Sequence, residues 1–317
     1  MGQYLEFKPS SCKNCYRCLR ECPVKAIKVV DQKAVIMEEL CILCGKCTFV
    51  CHQNAKYVHG ELEEVKRLLK KNKRVYVSVA PSFVSSFGIE DFEVMRTALK
   101  RLGFFDAEET ALGAAAVTEK YEELLNSGKY RNLISSACPA VNRLIEIYYP
   151  KALPFLAPVD TPMVAHAKMI KKRDKDAVVL FVGPCIAKKR EARESVLIEN
   201  VLTFEELTRW LDAEHIELKK KSEENDNSRA RFFPTTGGIL KTMAQNEPGY
   251  TYLAIDGVEN CIAALRDIEN GNLHHCFVEM SACVGSCIGG PVMENTTAPP
   301  SRIISPCQTM PESTTSR

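Results

Sequence analysis

The sequence predicts a small cysteine-rich α+β module at the N-terminus, followed by a larger α/β domain with mainly parallel sheets. Three observations carry that prediction. A chain of 317 residues accommodates about two domains of roughly 150 residues each. Eight of its 15 cysteines fall between residues 12 and 51, so composition changes sharply along the chain. From Arg74 onward, short β-rich runs alternate with amphipathic stretches, the pattern of βαβ units. Hydrophobic residues make up 45% and charged residues 26%, with a net charge of +2, which excludes a disordered chain and gives no basic footprint for nucleic acid. The longest apolar runs, such as Ala177–Val182, fall far short of the ~20 residues of a membrane span. MGQYLEFKPSSCKNC lacks the apolar core of a signal peptide, and its Gly2 context is a poor myristoylation signal, so a cytoplasmic location is expected.

The N-terminal cysteines are spaced C-x2-C-x2-C-x3-C-P from Cys12 to Pro23 and C-x2-C-x2-C-x3-C from Cys41 to Cys51. This is the bacterial two-cluster ferredoxin spacing, written twice. Two-residue gaps let three thiolates converge from one tight loop, while the fourth cysteine of each run serves the other cluster. Cys12, Cys15, Cys18 and Cys51 are therefore assigned to one 4Fe-4S cluster, and Cys41, Cys44, Cys47 and Cys22 to the second. Zinc would use two local pairs, and disulfides fit neither compartment nor spacing. The stretches AIKVV and KAVIM read as a short strand pair covering the clusters, and His52 stands where the first repeat has Pro23. This ferredoxin-like two-cluster domain takes residues 1–60. Residues 61–73, ELEEVKRLLKKNK, read as a connecting helix, with apolar Leu62, Val65, Leu68 and Leu69 on one face, acids early and lysines late.

The second domain is assigned to residues 74–295. Its candidate strands are 74–80, 131–137, 177–183, 251–256 and 276–280, separated by helical patterns at 91–102, 114–125, 142–149, 164–173, 204–216 and 260–269. Residues 218–231 read as a charged surface loop, and the Ser/Thr/Pro-rich 296–317 as a linker-like tail leading to an output module absent from this chain. Cys138, Cys185, and the pair Cys283 and Cys287 follow three separate strands, and ligands in open α/β sheets gather at the carboxyl ends of strands. Glycines 285, 289 and 290 allow close backbone approach there. Taken singly, each of these cysteines reads more readily as a buried small hydrophobe. Cys261, Cys276 and Cys307 match no motif; the first two read as core thiols.

Cys138 in S-S-A-C-P, Cys185 in G-P-C-I-A-K-K-R-E, and Cys283 with Cys287 in F-V-E-M-S-A-C-V-G-S-C-I-G-G resemble the three signature segments of the FeFe-hydrogenase H-cluster domain. V-A-P-S at 79–82, L-G-F-F-D-A at 102–107, Y-Y-P at 148–150, T-P-M at 161–163 and T-G-G-I at 236–239 agree in order. The resemblance covers about residues 75–291. It implies an H-cluster: a 4Fe-4S cube joined to a two-iron unit bearing carbon monoxide, cyanide and a bridging dithiolate. By the same resemblance Cys138, Cys185 and Cys283 ligate the cube, and Cys287 bridges cube and two-iron unit. Lys188 would donate to one cyanide and Ser82, with the backbone around Ala80 and Pro81, to the other. Pro184, Ala137, Gly183 and Ser281 complete the expected pocket.

Four positions depart from the family pattern. Ala137 replaces a proton-passing cysteine, and a methyl can neither donate nor accept a proton. Ala157 stands at the position aligned with a relay serine. Gly183 and Ser281 replace methionines, opening the pocket or adding a hydrogen bond. Glu119 on the helix VTEKYEELL is either an outer relay carboxylate or a solvated charge. These departures resemble the sensory branch of the family. The expected function is reversible dihydrogen oxidation, slow and serving hydrogen sensing, with dihydrogen and protons as substrates and an external carrier such as ferredoxin taking electrons. The alternatives are a non-catalytic iron-sulfur assembly protein of the Nar1 type and a pure electron-transfer module.

Overall fold

The computed structural model describes residues 4–218, 229–244, 247 and 249–293. The tail at 296–317, Cys307 and most of the charged loop at 218–231 lie outside the described residues. In the first module, β1 (Leu5–Phe7) pairs antiparallel with β4 (Lys56–Val58), and β2 (Ile27–Val30) pairs antiparallel with β3 (Lys33–Ile36). Short helices α1 (Arg17–Glu21) and α2 (Lys46–Phe49) each carry the third cysteine of a run. Cys18, Cys22, Ala26, Ile27 and Ala34 form its small core, so the thiols are themselves part of the packing. His52, the departure from the repeat, takes the Arg17 guanidinium as its partner.

Helix α3 (Leu62–Lys71) forms where the sequence places it, with Val65 fully buried and Leu62, Leu68 and Leu69 packed on the core that follows. Glu63 and Glu64 lie in its first turn and Lys70 and Lys71 in its last, each charge opposing the end of the dipole it faces.

A four-stranded parallel sheet comes next. Its members are β5 (Val75–Val79), β6 (Asp106–Glu109), β8 (Val178–Gly183) and β9 (Asn200–Thr203), in the order β6-β5-β8-β9. Helices α4 (Phe83–Phe87), α5 (Phe92–Arg101), α8 (Pro162–Arg173), α9 (Ala187–Ser195) and α10 (Phe204–Ala213) belong to this half. Thr203 and Glu206 form a reciprocal capping box at the start of α10, which fixes the chain's exit from β9.

A three-stranded parallel sheet, in the order β10-β11-β7, is made by β7 (Asn132–Ile134), β10 (Thr251–Asp256) and β11 (Cys276–Ser281). It is covered by α6 (Ala111–Asn126), α7 (Pro139–Tyr148), α11 (Gly238–Thr242) and α12 (Val258–Glu269). Strand β7 is shorter than expected. After Ile134 the chain leaves the sheet, and Cys138 becomes the residue before α7, with Pro139 supplying the preset φ of a first helical turn. The outer strands β6 and β9 were not expected. Both are short edge strands, and β6 reads Asp-Ala-Glu-Glu, a composition that masks a strand.

Among the described residues no helix is long and apolar enough to cross a membrane.

Candidate iron-sulfur sites

Strands β5 and β8 of one sheet and β7 and β11 of the other run on into loops that meet around one cavity. Ala80, Pro81 and Ser82 follow β5; Pro184 and Cys185 follow β8; Ala137 and Cys138 follow β7; Cys283 and Cys287 follow β11, and all line the cavity. The four cysteines singled out in the sequence thus share one space. Met163, Phe181, Phe233, Ile239 and Met280 make the remaining wall largely apolar.

Burial makes Cys185, Cys283 and Cys287 poor acids in the protein alone. It pushes Cys185 up to about 11 and Cys287 up to about 12, and raises Cys283 well above the ordinary thiol range. Mutual repulsion among Cys138, Cys185, Cys283 and Cys287 adds to the effect, while Lys188 opposes it at Cys185 and Cys287. Holding four thiolates here requires cationic charge in the cavity. Soft sulfur donors in a dry pocket select iron or a comparable soft metal. Among the described residues no three His, Cys, Asp or Glu side chains converge tightly enough to hold a single ion.

The polar wall residues fit a group that accepts hydrogen bonds. Ser82 is fully buried and its hydroxyl has no partner. Burying a hydroxyl unpaired costs roughly 1–3 kcal/mol, so an acceptor in the cavity would relieve a standing penalty. Lys188 is buried against the cavity, not solvated, and its ammonium donates to Thr161 Oγ1 at 3.0 Å and to Glu191 Oε2 at 2.6 Å. An ammonium has three donors, which leaves one for the cavity.

Gly183 is a correction to the expected pocket, because it is not among the lining residues. A Cβ there would lie 2.6 Å from Cε1 of Phe181 and 3.0 Å from Cβ of Ala80, so the Phe181 ring fills the space the glycine leaves. Ser281 lines the cavity as expected. Ala157 is buried in the core beside α6 and donates its N–H to Ile134 O, away from the cavity lining, and Glu119 is an exposed helix charge. Cys261 and Cys276 are buried core thiols, as expected.

In the first module Cys22, Cys41, Cys44 and Cys47 line a second cavity, a set that joins the last cysteine of one run to the first three of the other. Burial pushes Cys44 up to about 12 and raises Cys41 and Cys47 as well. Burial also raises Cys18, and that thiol is further repelled by Cys51 and Cys15, so Cys51 faces the first run. Cys12, Cys15 and Cys51 are more open, and Cys15 lies 3.9 Å from Gln53 Oε1.

The two cavities are neighbours. Cys283 is repelled by Cys44 of the first module as well as by the thiols of its own cavity. The turn carrying Cys44 is held against the larger domain by Gly45 packed on Pro291 and Ile186, by an ion pair of Lys46 with Glu259, and by Tyr148 donating to Leu40 O at 2.8 Å.

Sequence reasoning missed Glu279 and Thr110 on the main cavity wall. Glu279 accepts the N–H groups of Ile239 at 3.0 Å and Leu240 at 3.2 Å, and burial raises its carboxyl to about 7. A lone glutamate in F-V-E-M, flanked by apolar residues on a strand buried throughout, was the available signal.

Residues 4–52 match the 4Fe-4S dicluster domain, and residues 73–291 match the iron only hydrogenase large subunit, C-terminal domain. The chain is 25% identical over 329 residues to the NADP-reducing hydrogenase subunit HndD of Solidesulfovibrio fructosivorans, covering 80% of this chain and 56% of that one. It is 24% identical over 384 residues to iron hydrogenase 1 of Clostridium pasteurianum, covering 84% and 66% respectively. A further similarity, 24% over 203 residues, is to the cytosolic Fe-S cluster assembly factor NAR1 of Encephalitozoon cuniculi, covering 56% and 55%. The chain therefore spans between about half and two thirds of the length of these curated relatives. Its fold is that of the [FeFe]-hydrogenase HydA1 from Chlamydomonas reinhardtii, with a TM-score of 0.63 at 18% identity over 82% of this chain and 91% of that one. Since the match runs unbroken through both sheets and every loop that meets at the main cavity, the chain belongs to the iron-only hydrogenase large-subunit family, here behind a 4Fe-4S dicluster module.

Proposed function

We propose that this protein interconverts dihydrogen with two protons and two electrons, slowly, and that it serves hydrogen sensing. The observation that carries the reading is the meeting of Cys138, Cys185, Cys283 and Cys287 around one apolar cavity whose wall offers the unpartnered Ser82 hydroxyl. Cys138, Cys185, Cys283 and Cys287 would hold the cube of an H-cluster, and Cys287 would also bridge to the two-iron unit. Ser82 and Lys188 would donate to its two cyanides. The bound group supplies the low-valent iron at which hydrogen is split. The chain's own residues attach it, orient it and keep the cavity dry through Met163, Phe181, Phe233 and Met280.

Cys12, Cys15, Cys18 and Cys51 would hold one relay cluster, and Cys22, Cys41, Cys44 and Cys47 the other. The nearness of Cys44 to Cys283 supports an electron path from the main cavity through the first module to an external carrier such as ferredoxin. Slow turnover follows from Ala137, which lines the cavity beside Cys138 and cannot pass a proton. On this reading the domains are 1–60, 61–73 and 74–295.

One test is infrared spectroscopy after loading with a synthetic two-iron cofactor, under hydrogen and under argon. Carbonyl and cyanide bands that respond to hydrogen are the expected result. The similarity to NAR1 favours a second reading, a non-catalytic iron-sulfur assembly protein, in which such bands never form.

A further inference from the structure

A buried chain of hydrogen bonds leads from the cavity wall to the protein surface by a route that avoids Ala137. Thr110, which lines the cavity, has its Oγ1 2.6 Å from Oγ of Ser78. Ser78 Oγ lies 2.8 Å from Nδ1 of His166, and His166 Nε2 lies 3.3 Å from Oε2 of Glu108. The other oxygen of Glu108 accepts from Arg173, whose side chain is 58% exposed. Ser78 and His166 are 1% and 0% exposed.

Each link is placed by a different element. Ser78 interrupts the apolar run of β5 between Val77 and Val79, and Thr110 precedes α6. Glu108 comes from β6, and His166 projects from α8. Gly113 of α6 lets α8 approach so closely that a Cβ there would lie 2.8 Å from Cβ of His166, which holds the ring in line.

We infer that Thr110, Ser78, His166 and Glu108 form a proton relay between the cavity and solvent. This deepens the hydrogenase reading and rests on it. Hydroxyls and imidazole both donate and accept, so each link can gain one proton and lose one. A proton arriving at Thr110 Oγ1 displaces the Thr110 proton to Ser78, and the Ser78 proton passes to Nδ1. The resulting imidazolium gives its Nε2 proton to Glu108, which releases it to water beside Arg173. Rotation of the two hydroxyls and tautomerisation of the imidazole, from Nδ1–H back to Nε2–H, restore the starting register. The His166 hydrogen bond, aided by the Arg173 charge, holds the Glu108 carboxyl down at about 2, so the exit group passes a proton on and does not retain it.

The test uses the full chain loaded with the synthetic two-iron cofactor and carrying Ser78→Ala, His166→Gln or Thr110→Val. With the cofactor's infrared bands at full intensity, each variant is expected to lower turnover about tenfold or more, and Thr110→Ser to recover at least fivefold over Thr110→Val. A readout independent of turnover is nitrogen NMR of His166 in the chain without the two-iron cofactor. It is expected to show a bare Nδ1 and a protonated Nε2, and Ser78→Ala is expected to move the Nδ1 resonance. Fully loaded variants with turnover within twofold of the parent, or a His166 protonated on Nδ1 against a bare Nε2 in the resting register, would overturn the relay alone. A parent without hydrogen-dependent infrared bands would overturn the hydrogenase reading and the relay with it.

Discussion

An ideal Cβ on Gly45 would sit 2.5 Å from Cβ of Pro291, so the turn that bears Cys44 and the turn that follows Cys287 are in backbone-to-ring contact. Gly45 also has φ of +77°, a conformation that side chains disfavour. Gly45→Ala therefore meets two penalties at one atom, steric and conformational. We expect a loss of about 2–4 kcal/mol in urea unfolding. Cluster content measured as iron and sulfide per chain should remain within a fifth of the parent. Reduction of the main-cavity cluster by an external donor should slow, because the cysteine-bearing turns no longer fit. Unchanged stability would mean that the two turns separate freely.

Ser82 offers a test in which the sign depends on loading. Its hydroxyl is buried and unpartnered in the protein alone. Removing the unsatisfied hydroxyl lifts its burial penalty, so Ser82→Ala should stabilise the unloaded chain by about 1–3 kcal/mol. In the loaded chain the same substitution would remove the proposed donor to an anionic ligand and should shift a cyanide stretching band. A destabilised unloaded variant, or unshifted bands, would refute the assignment.

In the first module the cysteine spacing alone was enough to propose which thiols share a cavity, because local C-x2-C-x2-C runs fix three ligands of a cluster through sequence separation. Cys22 does line the cavity of Cys41, Cys44 and Cys47. Helix α3 was legible from its apolar face and its charges. Strand β6 was not, because its acids are neutralised by partners on other elements: Arg96 for Asp106, Arg173 for Glu108 and Arg231 for Glu109. For the same reason Lys189 reads as a surface lysine in the run K-K-R, yet it is fully buried between Glu61 and Glu206 and donates to Val201 O at 2.7 Å. Local sequence gives the charge of a side chain but not the partner that allows its burial.

The Lys189 arrangement predicts its own asymmetry. Its ammonium lies 3.2 Å from Glu206 and 3.6 Å from Glu61, with all three side chains almost wholly enclosed. Lys189→Met leaves two buried carboxylates facing each other and should cost about 3–5 kcal/mol. Adding Glu61→Gln and Glu206→Gln should recover part of that loss, because the stranded charges go with it. Urea unfolding of the single and triple variants measures the difference. A triple variant weaker than the single one would show that the net charge, not the burial of unpaired carboxylates, governs the site.

Glu108 gives the acid limb of stability. The His166 hydrogen bond, then Arg173, hold its carboxyl at about 2 against an ordinary 4.5. A group whose folded-state pKa is depressed contributes stability above its unfolded pKa and loses it as pH falls toward the folded one. The contribution should be complete near pH 7, begin to fall below about pH 5 and be nearly gone at pH 2. Screening of the half-exposed Arg173 limits it to the order of 2 kcal/mol. Glu108→Gln should therefore lower the urea midpoint at pH 7 and converge on the parent below pH 3. Equal separation of the two curves at every pH would attribute the loss to packing.

Ala137→Cys tests proton supply at the cavity itself. The methyl lines the wall one residue from Cys138, and a thiol there would offer an acceptor and donor directly at the bound group. General acid-base assistance contributes typically 10²–10⁴-fold, so hydrogen turnover in the loaded variant should rise by at least about tenfold. The informative comparison adds His166→Gln. If protons now travel through the new thiol, Ala137→Cys with His166→Gln should keep most of the gain, although His166→Gln alone slows the parent. If the gain disappears in the double variant, the thiol feeds the buried chain through Ser78 and does not open a second route. A fully loaded Ala137→Cys protein no faster than its parent would mean that proton delivery does not limit turnover, and the limit would have to be sought in the electron path past Cys44.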